Sequence, residues 1–239
     1  MGVYSNTEIL ASIADGGIVC EPFNIKHLAE ASLDITLGYN FYRQEPDNEN
    51  NIYNPFDKAE VQRYFKGPLV AETNGEYTRK NRRLPFANIP EDHPIIVLQP
   101  GERILAHTHE FVGIRASAGA CEIRSRSSWG RNGVAVCFDA GWIDPGYINR
   151  ITLEIYNLNK YASVVLPVGE RIGQIIFHHT GPVDGSYEKG RGGVSGKYQA
   201  SSDLDELKRN WTPEQMLPRA FKDMRKLPVK ISGLSDGIL

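Results

Sequence analysis

Cysteine is scarce in this chain: Cys20, Cys121 and Cys137 are the three among 239 residues, and no two of them stand in a CxxC spacing. An odd number of unclustered thiols argues against a disulfide framework and for a reducing compartment, where the thiols serve as packing groups. An excess of charge of one sign is also missing, since 27 Lys and Arg against 29 Asp and Glu leave a formal charge of −2. No global field therefore draws in nucleic acid or an anionic membrane, and an anionic ligand must meet local positive charge. No run approaches the roughly 18 apolar residues of a membrane span, and MGVYSNTEIL lacks the basic segment and apolar core of a signal peptide. These absences predict a soluble cytoplasmic protein with neither nucleic-acid nor membrane partners.

With 41% of its residues hydrophobic, the chain can build one sizeable core. Ser5 and Glu8 have capping-box spacing, Ile9, Leu10 and Ile13 recur at helical spacing, and Gly16-Gly17 stops the pattern, which predicts one short helix. In SLDITLG, Leu33, Ile35 and Leu37 alternate with Asp34 and Thr36, as in a half-buried strand ended by Gly38. From 44 to about 92, stretches such as QEPDNENNIYNPFD and NGEYTRKNRRLP predict a surface insertion with at most short structure. From Pro94 to Phe177 come short apolar runs cut by Gly and Pro: IIVL, ILAH, FVGI, GVAVCF, ITLEIY, SVVLP and RIGQIIF. Strands at about 8 to 12 residue intervals, with turns between, predict an all-β sandwich, jelly roll or barrel. A Gly-rich segment over 181–203 reads as mobile. Two helices are expected after it, around Leu204–Arg209 and from Thr212 with Pro213 behind it.

Several groups can carry chemistry. Arg124, Arg126 and Arg131 crowd with Ser125, Ser127 and Ser128 around EIRSRSSWG. Guanidinium forks and hydroxyls beside a Gly suit a polyphosphate, and equally a solvated strand end. Glu154 faces opposite to Leu153 and Ile155, so it points either at water or into a closed cavity. In a cavity, desolvation would raise its pKa and suit it to moving protons near neutral pH. EKGRGGVSGKYQAS places Lys189, Arg191 and Lys197 on permissive backbone, as a phosphate-binding loop or a flexible linker, without the Walker spacing. His107 and His109 share a strand face, yet no further ligand has a metal-site spacing, and His178-His179 is a weaker pair still.

Together these residues resemble the deoxycytidine triphosphate deaminases, which share a trimeric β-roll, a distorted jelly roll with a few short helices, with the dUTPases. SLDITLG, LQPGERILA, RSRSSWGRNG, AGWIDPGY, ITLEIYN, VGERIGQIIF and GKY stand in that family's order. The resemblance implies residues 1–203 as the family domain, with an insertion at about 45–92, and 204–239 as a C-terminal helical extension. It implies a homotrimer that takes dCTP and dUTP as ligands. Glu154 would take a proton from water attacking C4 of cytosine, protonate N3 and help ammonia leave. Ser127, Arg131 and the backbone carbonyl of Ala140 would position that water and steady the tetrahedral state. Arg126, Ser128, Tyr147, Thr152, Leu153, Gln174, Tyr187 and Lys197 would bind the nucleotide.

AGWID and Gln174 look like the bifunctional members, in which Asp144 would activate the water that cuts dUTP to dUMP and diphosphate. No zinc is implied, and the H-x-E and P-C-x-x-C elements of zinc deaminases are missing. Magnesium would enter only with the triphosphate. The chain departs from the family at Cys137 and Asp139, where a His and a Thr are common, and at Ser201, where a glutamine falls. A plain dUTP diphosphatase needs Asp144 but has no use for Glu154. A non-catalytic nucleotide-binding regulator would bind without turnover.

Overall fold

The structure is a computed structural model that describes residues 2–45, 52–188, 196–199 and 201–223. Helix α1 (Asn6–Ala14) starts on the expected capping box, with Ser5 and Glu8 each satisfying the other's backbone N–H. Strands β1 (Ile18–Glu21), β2 (Leu33–Thr36) and β3 (Asn40–Gln44) follow. The insertion holds α2 (Lys58–Tyr64), β4 (Phe65–Val70), β5 (Glu72–Thr73) and α3 (Asn74–Lys80). Next come β6 (Pro94–Leu98), β7 (Arg103–His107), β8 (Phe111–Ile114), β9 (Ala120–Ser125) and the single turn α4 (Ser127–Arg131). The chain continues through β10 (Val134–Ala135), β11 (Trp142–Ile143), β12 (Ile148–Asn149), β13 (Thr152–Asn157), β14 (Val164–Pro167) and β15 (Arg171–His178) to α5 (Leu204–Asn210). The all-β expectation is met.

Two antiparallel sheets frame the core: β10-β13-β7-β3-β4 and β11-β9-β15-β2. Leu153 and Ile155 on β13, with Ile104 and Ala106 on β7, face Ile35, Ile123, Ile175 and Phe177 of the second sheet. Two smaller sheets, β1-β8-β12 and β14-β6-β5, complete the fold. Burial of these aliphatic side chains, at roughly 1.5–3 kcal/mol each, is the main force joining the sheets.

Two sequence expectations need correction. Strand β2 is buried on both faces rather than half-buried. Asp34 is covered because Arg126 and Arg171 each reach its carboxylate at 3.2 Å, and the Thr36 hydroxyl donates to Glu110 at 2.7 Å. Buried polar groups persist when so partnered. The insertion is also more than a surface loop. Its β4 extends the five-stranded sheet, and Val61 and Phe65 join Tyr42, Leu105 and Met216 in a second apolar cluster on that sheet's outer face. Polar composition hid this, because Asn74 is itself buried, donating to the carbonyls of Phe86 and Ile89 at 3.1 and 2.9 Å.

The tail packs on the same body. Leu207 of α5 sits with Val19, Phe111 and Ile148, and Trp211 lies over His107 at 4.7 Å between ring centres. The second expected helix is a 3-10 turn, Pro213–Met216, that plants Met216 in the second cluster. Among the described residues no helix is long and apolar enough to cross a membrane.

Candidate active site

Strand β13 alternates strictly: Leu153, Ile155 and Asn157 are buried, while Thr152, Glu154 and Tyr156 face the other way. Antiparallel register sets Glu154 against Leu105 and Tyr156 against Arg103 on β7, so these side chains share a face. That face floors a cavity of about 440 Å³. Ala140, Gly141, Trp142 and Asp144 form one side, and Tyr147 and Tyr187 meet edge to face at 4.8 Å between centres across another. Tyr198, Met216 and Pro218 of the tail close a third. Glycine is needed at 141, where a Cβ would stand 2.4 Å from the carbonyl oxygen of Ile123.

Burial pushes the Glu154 carboxyl up to about 7, while its own backbone N–H and the Arg103 guanidinium pull in the opposite direction. A carboxyl poised there can both take and return a proton near neutral pH. Cys137 lines the same cavity, but its thiol donates to the Ile123 carbonyl at 3.1 Å, and burial, followed by the charge of Glu154, raises it to about 11. Burial likewise raises the hydroxyls of Tyr147 and Tyr187. Both stay neutral hydrogen-bonding groups.

The dCTP deaminase-like family model matches residues 3–180. The chain belongs to that family. A Methanopyrus kandleri protein named "dCTP deaminase, dUMP-forming" is 33% identical to it over 203 residues, 83% of this chain and 91% of the relative. A Halobacterium salinarum protein of the same name is 36% identical over 200 residues, 82% of this chain and 89% of the relative. Among solved structures, the 2′-deoxycytidine 5′-triphosphate deaminase of Agrobacterium tumefaciens is similar at a TM-score of 0.48 and 22% identity. That similarity covers 75% of this chain, which spans about half (48%) of the Agrobacterium chain.

In this dCTP deaminase-like chain the cavity gathers Glu154, Thr152, Ala140, Asp144, Tyr147 and Tyr187. It does not gather the others. The Leu153 side chain is in the core. Ser127, Ser128 and Arg131 are exposed on α4, because the Trp129 indole N–H donates to the Arg171 carbonyl at 2.9 Å and packs that turn by its opposite side. Arg126 is drawn to Asp34, Arg124 to Glu122 at 3.0 Å, and Lys197 to Asp223 at 2.9 Å. Gln174 stands on β15 between Arg124 of β9 and Asp34 of β2. A cradle of Ser127 and Arg131 beside Glu154 is therefore not formed within one chain. Lys189 and Arg191 lie outside the described residues.

Arg103, Tyr198, Met216 and Pro218 escaped the sequence reading. Only the alternation of RILAH, which turns Arg103 to the same side as Leu105, could have flagged the first. The tail residues carry no local signal, since cluster packing brings them to the cavity. Gln199 helps to seat them, accepting from the Ile148 N–H at 2.7 Å and donating to the Gly146 carbonyl at 3.0 Å. His107 is structural: it is buried, its Nδ1–H donates to the Thr108 carbonyl at 2.8 Å while Nε2 accepts from the Asn40 N–H at 3.2 Å, and it is held down to about 4 chiefly by burial. Strand β7 ends there, so His109 does not share its ladder. Among the described residues no group of three or more His, Cys, Asp or Glu is placed to hold a metal.

Proposed function

We propose that this protein deaminates dCTP by hydrolysis and carries the product on to dUMP and diphosphate. The observation that supports the reading most directly is a carboxyl on a strand that faces a cavity of about 440 Å³, where burial raises it to about 7. Water adds to C4 of the cytosine ring as Glu154 takes its proton. Glu154 passes that proton to N3, then takes the hydroxyl proton of the tetrahedral adduct and delivers it to N4, so that the C4–N4 bond breaks, ammonia departs and the C4 carbonyl of the uracil ring forms. Such acid–base work contributes about 10²–10⁴-fold. Ala140 lies on the same cavity wall, and its backbone carbonyl would orient the water. Thr152, Leu153 through its backbone, Tyr147 and Tyr187 would hold the nucleoside.

In this reading Asp144, exposed at the rim, where its carboxylate accepts from the Trp142 indole N–H at 3.2 Å, activates the second water, which attacks the α-phosphate. Arg126, Ser127, Ser128 and Arg131 reach the cavity from a neighbouring copy in a homotrimer. What supports this is the exposure of Ser127, Ser128 and Arg131 on α4, away from the cavity of their own chain, with Arg126 at the start of that turn. Gln174 and Lys197 hold the triphosphate, with Lys197 leaving Asp223 when substrate arrives. Magnesium comes with the triphosphate as part of the substrate, in keeping with its preference for phosphate oxygens and few protein ligands. Residues 1–203 carry the chemistry, the extension from 204 walls its cavity, and the free thiols suit the cytoplasm.

The test incubates chelator-treated protein with dCTP and magnesium, reading ammonia and separating nucleotides by anion exchange. Ammonia with dUMP and diphosphate is expected, and Glu154→Gln should lower ammonia release at least about 100-fold. Cleavage of supplied dUTP without ammonia from dCTP would leave a dUTP diphosphatase, and inertness to both a binding protein.

A further inference from the structure

Arg103 is a cation in the Glu154 cavity that the proposed chemistry leaves without a role. It lies one diagonal step from Glu154 on the shared face, with Tyr156 opposite Arg103 and Leu105 opposite Glu154. Diagonal neighbours across an antiparallel pair are about 7–8 Å apart, within reach of a long side chain. Its guanidinium is fixed at the far end. With its amide oxygen turned inward, Gln44 of β3 accepts from Nε at 3.1 Å and from Nη2 at 2.6 Å. Tyr53 of the insertion lies within electrostatic reach, and its buried hydroxyl finds no hydrogen-bond partner among the described residues. The neighbouring Arg43 is spent on Glu102, whereas Arg103 makes no ion pair among the described residues.

Among the described residues, the rest of the cavity gives Glu154 no positive partner. Ile123 and Ile151, with Met216 and Pro218 of the tail, are apolar. The titratable groups facing it are Cys137 after β10, Asp144 and Tyr147 after β11, and Tyr187 and Tyr198 beyond β15. None is a cation, and Asp144 carries the same sign. A carboxyl enclosed by such walls prefers to be neutral. A neutral carboxyl cannot take the proton of an attacking water.

We propose that Arg103 is a positioning residue for Glu154: its guanidinium, pinned by Gln44 at one end of the cavity, keeps the carboxylate available as a base against the exclusion of water by the tail. Arg103 acts through charge across the cavity and touches no reacting atom. The inference rests on the assignment of Glu154 as the acid–base group, so its test includes a measurement that needs no turnover.

The full-length chain, labelled with ¹³C at glutamate carboxyls, is titrated by NMR without nucleotide, and the Glu154 signal is identified by its loss in Glu154→Gln. In Arg103→Met the Glu154 proton affinity should rise about tenfold, one pH unit. Arg103→Lys should restore most of the wild-type midpoint, and Gln44→Leu should move it upward by less. The acid limb of kcat/KM for ammonia release should shift with the carboxyl, with the loss at neutral pH falling on kcat. An unchanged midpoint in folded Arg103→Met, with a raised KM, would overturn the proposal and make Arg103 a group that holds the nucleotide directly. Should Arg103→Met fail to fold, Gln44→Leu decides by the same criterion. If the wild type releases no ammonia from dCTP, the deaminase reading falls, and the titration still decides what Arg103 does to Glu154.

Discussion

At Glu154, strand alternation turns a carboxyl into a cavity walled by the tail, and the consequence extends from chemistry to stability. Burial lifts this group from an ordinary 4.5 to about 7. Between those values the folded chain keeps a proton that the unfolded chain has released. Its stabilising contribution is therefore complete below about 4.5 and is lost as the pH rises through about 7. Glu154→Gln removes that loss. Urea unfolding should find the variant level with wild type near about pH 4 and more stable above about pH 8, by on the order of 3 kcal/mol. His107 tilts the curve the other way. Lowered from 6.5 to about 4, it contributes stability that is present above 6.5 and lost as the pH falls through about 4. The two groups offset each other through mildly acidic pH, so Glu154→Gln should also unmask acid lability in that window, read as a falling Tm.

The insertion and the tail, far apart in sequence, meet over the outer face of the five-stranded sheet. Val61 and Phe65 come from one, Met216 from the other, and Tyr42 and Leu105 from the sheet between them. Met216 also lines the Glu154 cavity, so in the proposed mechanism a single side chain links packing to chemistry. Met216→Ala should cost about 2–5 kcal/mol in chemical denaturation. It should also admit water beside Glu154 and lower the midpoint of that carboxyl, moving the acid limb of the pH profile downward. A loss of stability with an unmoved profile would confine Met216 to packing. Arg219 braces the same segment, donating to the Lys197 carbonyl at 2.9 Å and lying over the Tyr198 ring at 5.5 Å.

Across the whole molecule, the Glu154 cavity and the exposed basic turn α4 belong to one chain but do not meet within it. If a neighbouring copy supplies the turn, two defects on different chains can complement each other. Glu154→Gln and Arg131→Ala should each abolish ammonia release from dCTP as separate preparations. After dissociation and reassembly together, some mixed trimers should hold an intact site and recover activity. No recovery in assembled mixtures would place both residues on the same chain's contribution.

Much of this was legible in the linear chain, because the signals were local. The capping box at Ser5 and Glu8, the apolar runs from Pro94 to Phe177 and the motif order around RSRSSWGRNG and ITLEIYN each depend on residues within one element, where period and backbone preference act directly. The same local rules misread β2 and the insertion. Asp34 and Asn74 look like solvent-facing residues until Arg126, Arg171 and the Phe86 and Ile89 carbonyls reach them from elsewhere in the fold. For Glu154, sequence determined which face of the strand it occupies and left open whether that face met water. Tertiary structure decided it, because the dielectric around a carboxyl depends on what the rest of the chain packs against it. Here that is Arg103 from the neighbouring strand and Tyr198, Met216 and Pro218 from a tail whose own sequence carries no sign of the cavity it closes.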